Sequence, residues 1–130
     1  MSGVSATKTA GPRRGTSVST PERMQLAPTE SGAAALAILL AHYGRWVSLE
    51  ECRDACGVSR DGSTPDSVAN AAQSYGLQPD IITAEPHDLR TMPMPLIIHW
   101  RFKHYVVLEG WSKKGWLLND PALGHRVCPS

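Results

Sequence analysis

The sequence predicts a single α+β domain. Helix-type patterns fill the first half of the chain and short β-type runs fill the second, without the strand–helix alternation of a parallel doubly wound sheet. The length, 130 residues, suits one core that needs no disulfides to hold it. The domain is expected over residues 23–130. Residues 1–22 are rich in Ser, Thr, Gly and Pro and poor in large apolar side chains, so burial there cannot offset the entropy of ordering, and they read as a flexible tail.

Each element has a local signature. The run Ala33 to Ala41 is apolar on nearly every side, with Thr29 as a candidate cap and Gly44 as a stop, which predicts a central buried helix. Ser48 and Glu51 have capping-box spacing and open a second helix that ends at Gly57. A third is expected from Pro65 to Tyr75, with proline in the first turn, Val68, Ala69 and Ala72 on one side, and Gly76 as the stop. After Gly76 the runs Ile81–Ile82, Leu96–Trp100, His104–Glu109 and Trp116–Leu118 read as strands. Lys113-Lys114-Gly115 makes a tight hairpin turn, and Asn119-Asp120-Pro121 closes the last strand.

Composition excludes several classes of function. Thirteen Lys and Arg against twelve Asp and Glu leave no basic face to track phosphates, so nucleic acid is not an expected partner. No apolar run approaches the ~20 residues that a bilayer crossing needs, and the N-terminus lacks the order of a secretory signal. The expected compartment is therefore the cytosol. Three cysteines, Cys52, Cys56 and Cys128, fit a reducing environment. Joined by His125 they could form a zinc set, but the spacing does not match tight zinc knuckles. Packing cysteines are the preferred reading, with no metal or cofactor expected.

Chemistry-bearing residues gather at the ends of these elements. Gln25 and Ser31 sit at the mouth of the buried helix, His104 opens a strand, and Asp120 ends the next one. A nucleophile at a helix N-terminus gains from backbone N–H groups and the positive dipole end, which favour an anionic attacking atom and an oxyanion. The hairpin can make His104 and Asp120 cross-strand neighbours, with the carboxylate orienting the imidazole. Spacing alone also allows a helix cap, a surface histidine and an ordinary turn.

Longer motifs narrow these alternatives. Glu30-Ser31-Gly32-Ala33-Ala34-Ala35-Leu36 resembles the Glu-Cys-Gly-Ala-Ala-Ala-Leu box of the C39 peptidases, the double-glycine leader peptidases fused to bacteriocin ABC transporters. Tyr43 to Glu51 and Cys56 to Gly62 resemble the segments that follow it in transporters of nitrile-hydratase-like-leader peptides. His99 to Gly110 is similar to the catalytic-histidine strand of that family, and Asn119-Asp120-Pro121-Ala122 to its aspartate turn. The resemblance spans residues 22 to 128 and implies a papain-like fold. It places Ser31 at the nucleophile position, His104 as general base and acid, Asp120 as the orienting carboxylate, and Gln25, six positions before Ser31, as the side-chain oxyanion donor.

The activity so implied is cleavage of a precursor peptide after a Gly-Gly pair, through a thioester hydrolysed by water. Trp100 and Phe102 are candidate substrate-binding walls of the narrow glycine cleft, or ordinary packing. The rest of the leader is expected to dock as an amphipathic helix in an apolar groove. The permease and ATPase parts of the same transporter are the other implied partners, at the cytoplasmic face of the inner membrane. Ending at Ser130 without a membrane span, the chain reads as a piece of such a transporter.

Two positions depart from the pattern: Lys103 stands where the family often has Asn, and Ser31 stands where it has its nucleophilic cysteine. A serine hydroxyl cannot reach the thiolate state that makes cysteine effective beside imidazolium, so this form is expected to be inactive or very slow. A substitution introduced to trap a complex, a native pseudo-peptidase and a working serine enzyme all remain open, as does a non-catalytic leader-docking module.

Overall fold

The computed structural model describes residues 4–8, 17–25, 28–57, 62–100 and 104–129. In chain order the elements are β1 (Val4–Lys8), α1 (Ser31–His42), α2 (Leu49–Cys56), α3 (Pro65–Ser74), β2 (Asp80–Ala84), β3 (Leu96–Trp100), β4 (His104–Ser112), β5 (Gly115–Asp120) and β6 (Gly124–Cys128). The strands form one six-stranded sheet in the order β2-β1-β3-β4-β5-β6, and every pairing is antiparallel.

The sheet is covered on both faces because β3 and β4 are apolar along Leu96–Ile98 and Tyr105–Leu108. Period-two alternation sends Ile97, Tyr105 and Val107 to the helical side, where they pack with α1, α2 and α3. It sends Leu96, Ile98, Val106 and Leu108 to the other face, where Leu89 of the 3-10 turn Pro86–Thr91 and Met92 just after it, together with Val18, cover them. Helix α1 is buried from Ser31 to Leu40 on all sides, as a helix with no polar face must be, and each of its fully buried Leu and Ile side chains contributes roughly 1.5–3 kcal/mol. Alanines on five of its positions let the sheet and α2 approach closely.

Helices α2 and α3 start and stop where their local chemistry dictates. Ser48 Oγ accepts from the Glu51 N–H at 3.1 Å, and Gly57 ends α2 in the left-handed region at φ 63°. Thr64 Oγ1 accepts from the Ser67 N–H at 3.1 Å, and Pro65 opens α3. The expected start of α1 is corrected. Thr29 lies in a 3-10 turn, and the cap is Glu30, whose side chain makes no cap bond and instead accepts from Arg53 of α2 at 2.6 Å.

Of the stretch 1–22 read as a flexible tail, residues 4–8 and 17–22 are described, and these have partners on the sheet. Val4–Lys8 pairs with β2 on one side and β3 on the other, held by backbone hydrogen bonds that composition does not reveal. Residues 17–25 form a strap across β4, β5 and β6, and Thr20 within it is only 3% exposed. The strap is polar, and its Thr20 meets the buried Glu109 and Asn119 on the sheet.

Candidate active site

The site forms where the head of α1 meets the start of β4. Ser31 is the first residue of α1 and is 1% exposed, and its Oγ accepts from the backbone N–H of Tyr105 at 3.1 Å. That bond joins the helix head to β4 one residue beyond His104. The approach is close because Gly32 has no side chain: a Cβ there would lie 3.1 Å from Val68 Cγ2 and 3.2 Å from the Tyr105 ring. The Tyr105 ring stacks on His99 at 4.3 Å between centroids, and its hydroxyl donates to the Ser63 carbonyl at 2.6 Å. Tyr105 therefore locks β4, α1 and the loop before α3 together.

His104 and Asp120 meet as the hairpin predicts. The nearest recorded register pair is Val107 with Asn119, and beyond it the two side chains close the gap, with His104 Nε2 3.0 Å from Asp120 Oδ1. The carboxylate is 1% exposed, so water does not weaken this contact on the Asp120 side. The same oxygen accepts from the Ala122 N–H at 2.8 Å, which fixes the turn after β5. Arg126 Nε of β6 lies 3.3 Å from Oδ2 as an ion-pair contact without hydrogen-bond alignment. An ionised carboxylate only accepts, so Nε2 carries the proton of the His104–Asp120 bond. The neutral ring is then left with Nδ1 as its basic nitrogen.

Gln25 ends the strap beside the same turn, its backbone N–H donating to the Pro121 carbonyl at 2.9 Å. Its buried Oε1 has no hydrogen-bond partner among the described residues, so the fold does not consume that end of the amide. Trp100 stands opposite His104 in the β3–β4 register. Phe102 and Lys103 lie outside the described residues.

The cysteines separate into two clusters. Cys52 and Cys56 pack among the helices, where burial pushes their thiols up to about 11 and about 12, so neither offers a thiolate near neutral pH. Cys128 packs against the cluster on the opposite face of the sheet, so the conceivable Cys–His zinc set is not assembled.

Ser31 buried at the helix head, His104 against a buried carboxylate and Gln25 tied to the turn after β5 lie at one end of the α+β frame. The chain belongs to the peptidase C39 family, whose model matches residues 19–129. It is 32% identical over 102 residues to the colicin V secretion/processing ATP-binding protein CvaB of Escherichia coli, covering 78% of this chain and 15% of that protein. It is 27% identical over 111 residues to the transport/processing ATP-binding protein ComA of Streptococcus pneumoniae, covering 81% of this chain and 16% of that one. The chain thus spans only a small part of the length of these relatives. Among solved structures it resembles a double glycine motif protease from an AMS/PCAT transporter in complex with the leader peptide. That match has a TM-score of 0.84 and 46% identity, covering 87% of this chain and 81% of that one. The peptidase domain of Streptococcus ComA matches in fold with a TM-score of 0.77 at 24% identity. The papain-like α+β fold implied by the motifs is therefore the fold of this chain.

Sequence reasoning missed Tyr105, Arg126 and the anchors of the strap. Arg126 lies outside the motifs, and although Tyr105, Glu109 and Asn119 fall within them, their partners Ser31, Ser63 and Thr20 lie far along the chain. The single available hint was Gly32 beside Ser31, a glycine near the start of an otherwise well-formed helix.

Proposed function

We propose that this chain is the leader-peptide endopeptidase domain of a bacteriocin-type ABC transporter, cutting a precursor after Gly-Gly, and that Ser31 silences it. The observation that carries the proposal is the 3.0 Å contact between His104 Nε2 and the buried Asp120, one residue before the N–H that holds Ser31 Oγ. With Nε2 committed to the carboxylate, Nδ1 is the nitrogen for proton exchange at position 31.

In the cysteine form, His104 would take the thiol proton, and the thiolate would attack the carbonyl carbon of the second glycine. The oxyanion would be held by backbone N–H groups at the head of α1 and by the Gln25 amide. His104 would then return its proton to the leaving amine, and water activated through the same nitrogen would hydrolyse the thioester. Serine keeps the hydrogen bond from Tyr105 but lacks an accessible anionic state, so the first step stalls while binding persists. Trp100, and Phe102 beyond it, would wall a cleft narrow enough to select glycine. The permease and ATPase parts of a longer transporter are the proposed partners, at the cytoplasmic face of the membrane. No helix among the described residues is long and apolar enough to cross a membrane.

A docking-only module is the second reading, favoured by Ser31 itself. One experiment separates the two: Ser31→Cys is incubated with a Gly-Gly precursor and the products are weighed by mass spectrometry. Cleavage after the second glycine is expected. An intact precursor, bound but uncut, would leave only docking.

A further inference from the structure

Glu109 is the least expected residue in the sheet, a carboxylate inside β4 that is 5% exposed. Such a group is costly to bury unless its charge is fully engaged. Its bonds all lead to one place. Glu109 Oε2 accepts from the Thr20 N–H at 2.6 Å and from the Thr20 hydroxyl at 2.7 Å, and it lies 3.1 Å from His125 Nε2.

Two further side chains complete a knot around the strap. The Thr20 hydroxyl accepts from the Asn119 amide at 2.8 Å, and that amide also lies 3.0 Å from the Pro21 carbonyl. His125 Nδ1 sits 2.9 Å from Glu22 Oε2, which also accepts from the His125 backbone N–H at 3.0 Å. Strands β4, β5 and β6 thus contribute one anchor each. Two glycines give the strap room: a Cβ on Gly110, at φ +153°, would lie 2.8 Å from Ser17 Cα, and one on Gly124, at φ +83°, would lie 2.8 Å from Glu22 Oε2. A few residues past the knot comes Gln25, tied to Pro121 in the turn that carries Asp120.

We infer that Glu109 is a positioning residue for peptide cleavage: through Thr20, Asn119 and His125 it locks the strap on the sheet and thereby sets the Gln25 amide at the site. The inference rests on the reading of Gln25 as the oxyanion donor. Its signature is that damage to the knot acts on catalysis only through Gln25.

The test has two arms. In the Ser31→Cys chain, Glu109→Gln and, as a milder variant, Thr20→Val should each lower kcat on a Gly-Gly precursor about tenfold with KM within about twofold. In a Gln25→Ala background the same changes should lower kcat no further. A merely structural knot would give additive losses, and additive losses overturn the inference, as does full kcat in both variants. The second arm measures amide exchange by mass spectrometry in the chain as it stands. Glu109→Gln should speed exchange across residues 17–25 about tenfold while β5 stays protected. Unchanged exchange in the strap sinks the inference whatever the activity. A Ser31→Cys chain that cuts nothing refutes the peptidase reading instead, and the exchange arm still decides whether Glu109 holds the strap.

Discussion

Removing the Asp120 carboxylate should cost stability and catalysis together, in amounts the structure fixes. Asp120→Ala deletes the 3.0 Å bond to His104, the 2.8 Å bond from Ala122 and the 3.3 Å contact with Arg126. A hydrogen bond to a charged group contributes about 1.5–3 kcal/mol and a neutral one about 0.5–1.5 kcal/mol. The partners here are not fully shielded, since the His104 and Arg126 side chains are 31% and 36% exposed, and screening cuts their share. The alanine variant should therefore lose about 2–4 kcal/mol. Asp120→Asn keeps one acceptor oxygen and a similar shape, and should lose only about 1 kcal/mol. In a domain of this size, about 1 kcal/mol lowers Tm by roughly 3–5 °C. The assay is urea unfolding at neutral pH, with midpoint and slope fitted together so that a change in two-state character is visible. In the Ser31→Cys background Asp120→Ala should lower kcat by about 10²–10⁴, because a histidine without its orienting acceptor is a poor general base, and Asp120→Asn, which keeps an acceptor, should lower it less. An alanine variant that unfolds at the parent's midpoint, or one that cuts at the parent's rate, would refute the reasoning.

Two further outcomes follow from the same geometry. Gly32→Ala places a methyl 3.1–3.2 Å from Val68 and the Tyr105 ring, so it should destabilise by about 1–3 kcal/mol through overpacking and lower cleavage by Ser31→Cys, as read by thermal melts and precursor digestion. Unchanged melting would show that β4 does not rest on the helix head. The second outcome concerns His125, whose two ring nitrogens both face carboxylates, a geometry that only the imidazolium satisfies with two donors. Burial opposes that charge, but the hydrogen bonds and charges of Glu22 and Glu109 and the Thr20 carbonyl outweigh it and hold its pKa above 6.5. The His125 backbone and ring N–H groups hold the Glu22 carboxyl below 4.5. The histidine's contribution is complete below its unfolded pKa and fades as pH rises through the raised folded value. The glutamate's is present above its unfolded pKa and fades as pH falls through the lowered one. The urea midpoint of the parent should therefore exceed that of His125→Gln most at about pH 5–6 and least by about pH 8. A gap that widens toward pH 8 would contradict the assignment.

Local rules were enough for much of this fold. Ser48 and Gly57 bound α2, Thr64 and Pro65 open α3, and the run Leu96–Trp100 is β3 with the limits the sequence predicts. These signals act within one turn or along one strand, so the chain carries them wherever it folds. Ser31, His104 and Asp120 were singled out for a similar reason, since each sits within a short motif, whereas Gln25 was placed only by the resemblance, six positions before Ser31.

Other features exist only once distant segments meet. Strand β1 has no strong apolar pattern and gains its place from the backbones of β2 and β3. The bond that ties Ser31 to β4 spans 74 residues, and the Thr20–Glu109 bond spans 89. A buried carboxylate such as Glu109 reads in sequence as an irregularity in an apolar strand, because its partners are named nowhere near it. Sequence by itself settled the chemistry available to this protein, through residue types at helix and strand ends. Tertiary structure alone decided which groups are held still for that chemistry, because burial and hydrogen-bond partnership belong to pairs of residues and not to a stretch of chain.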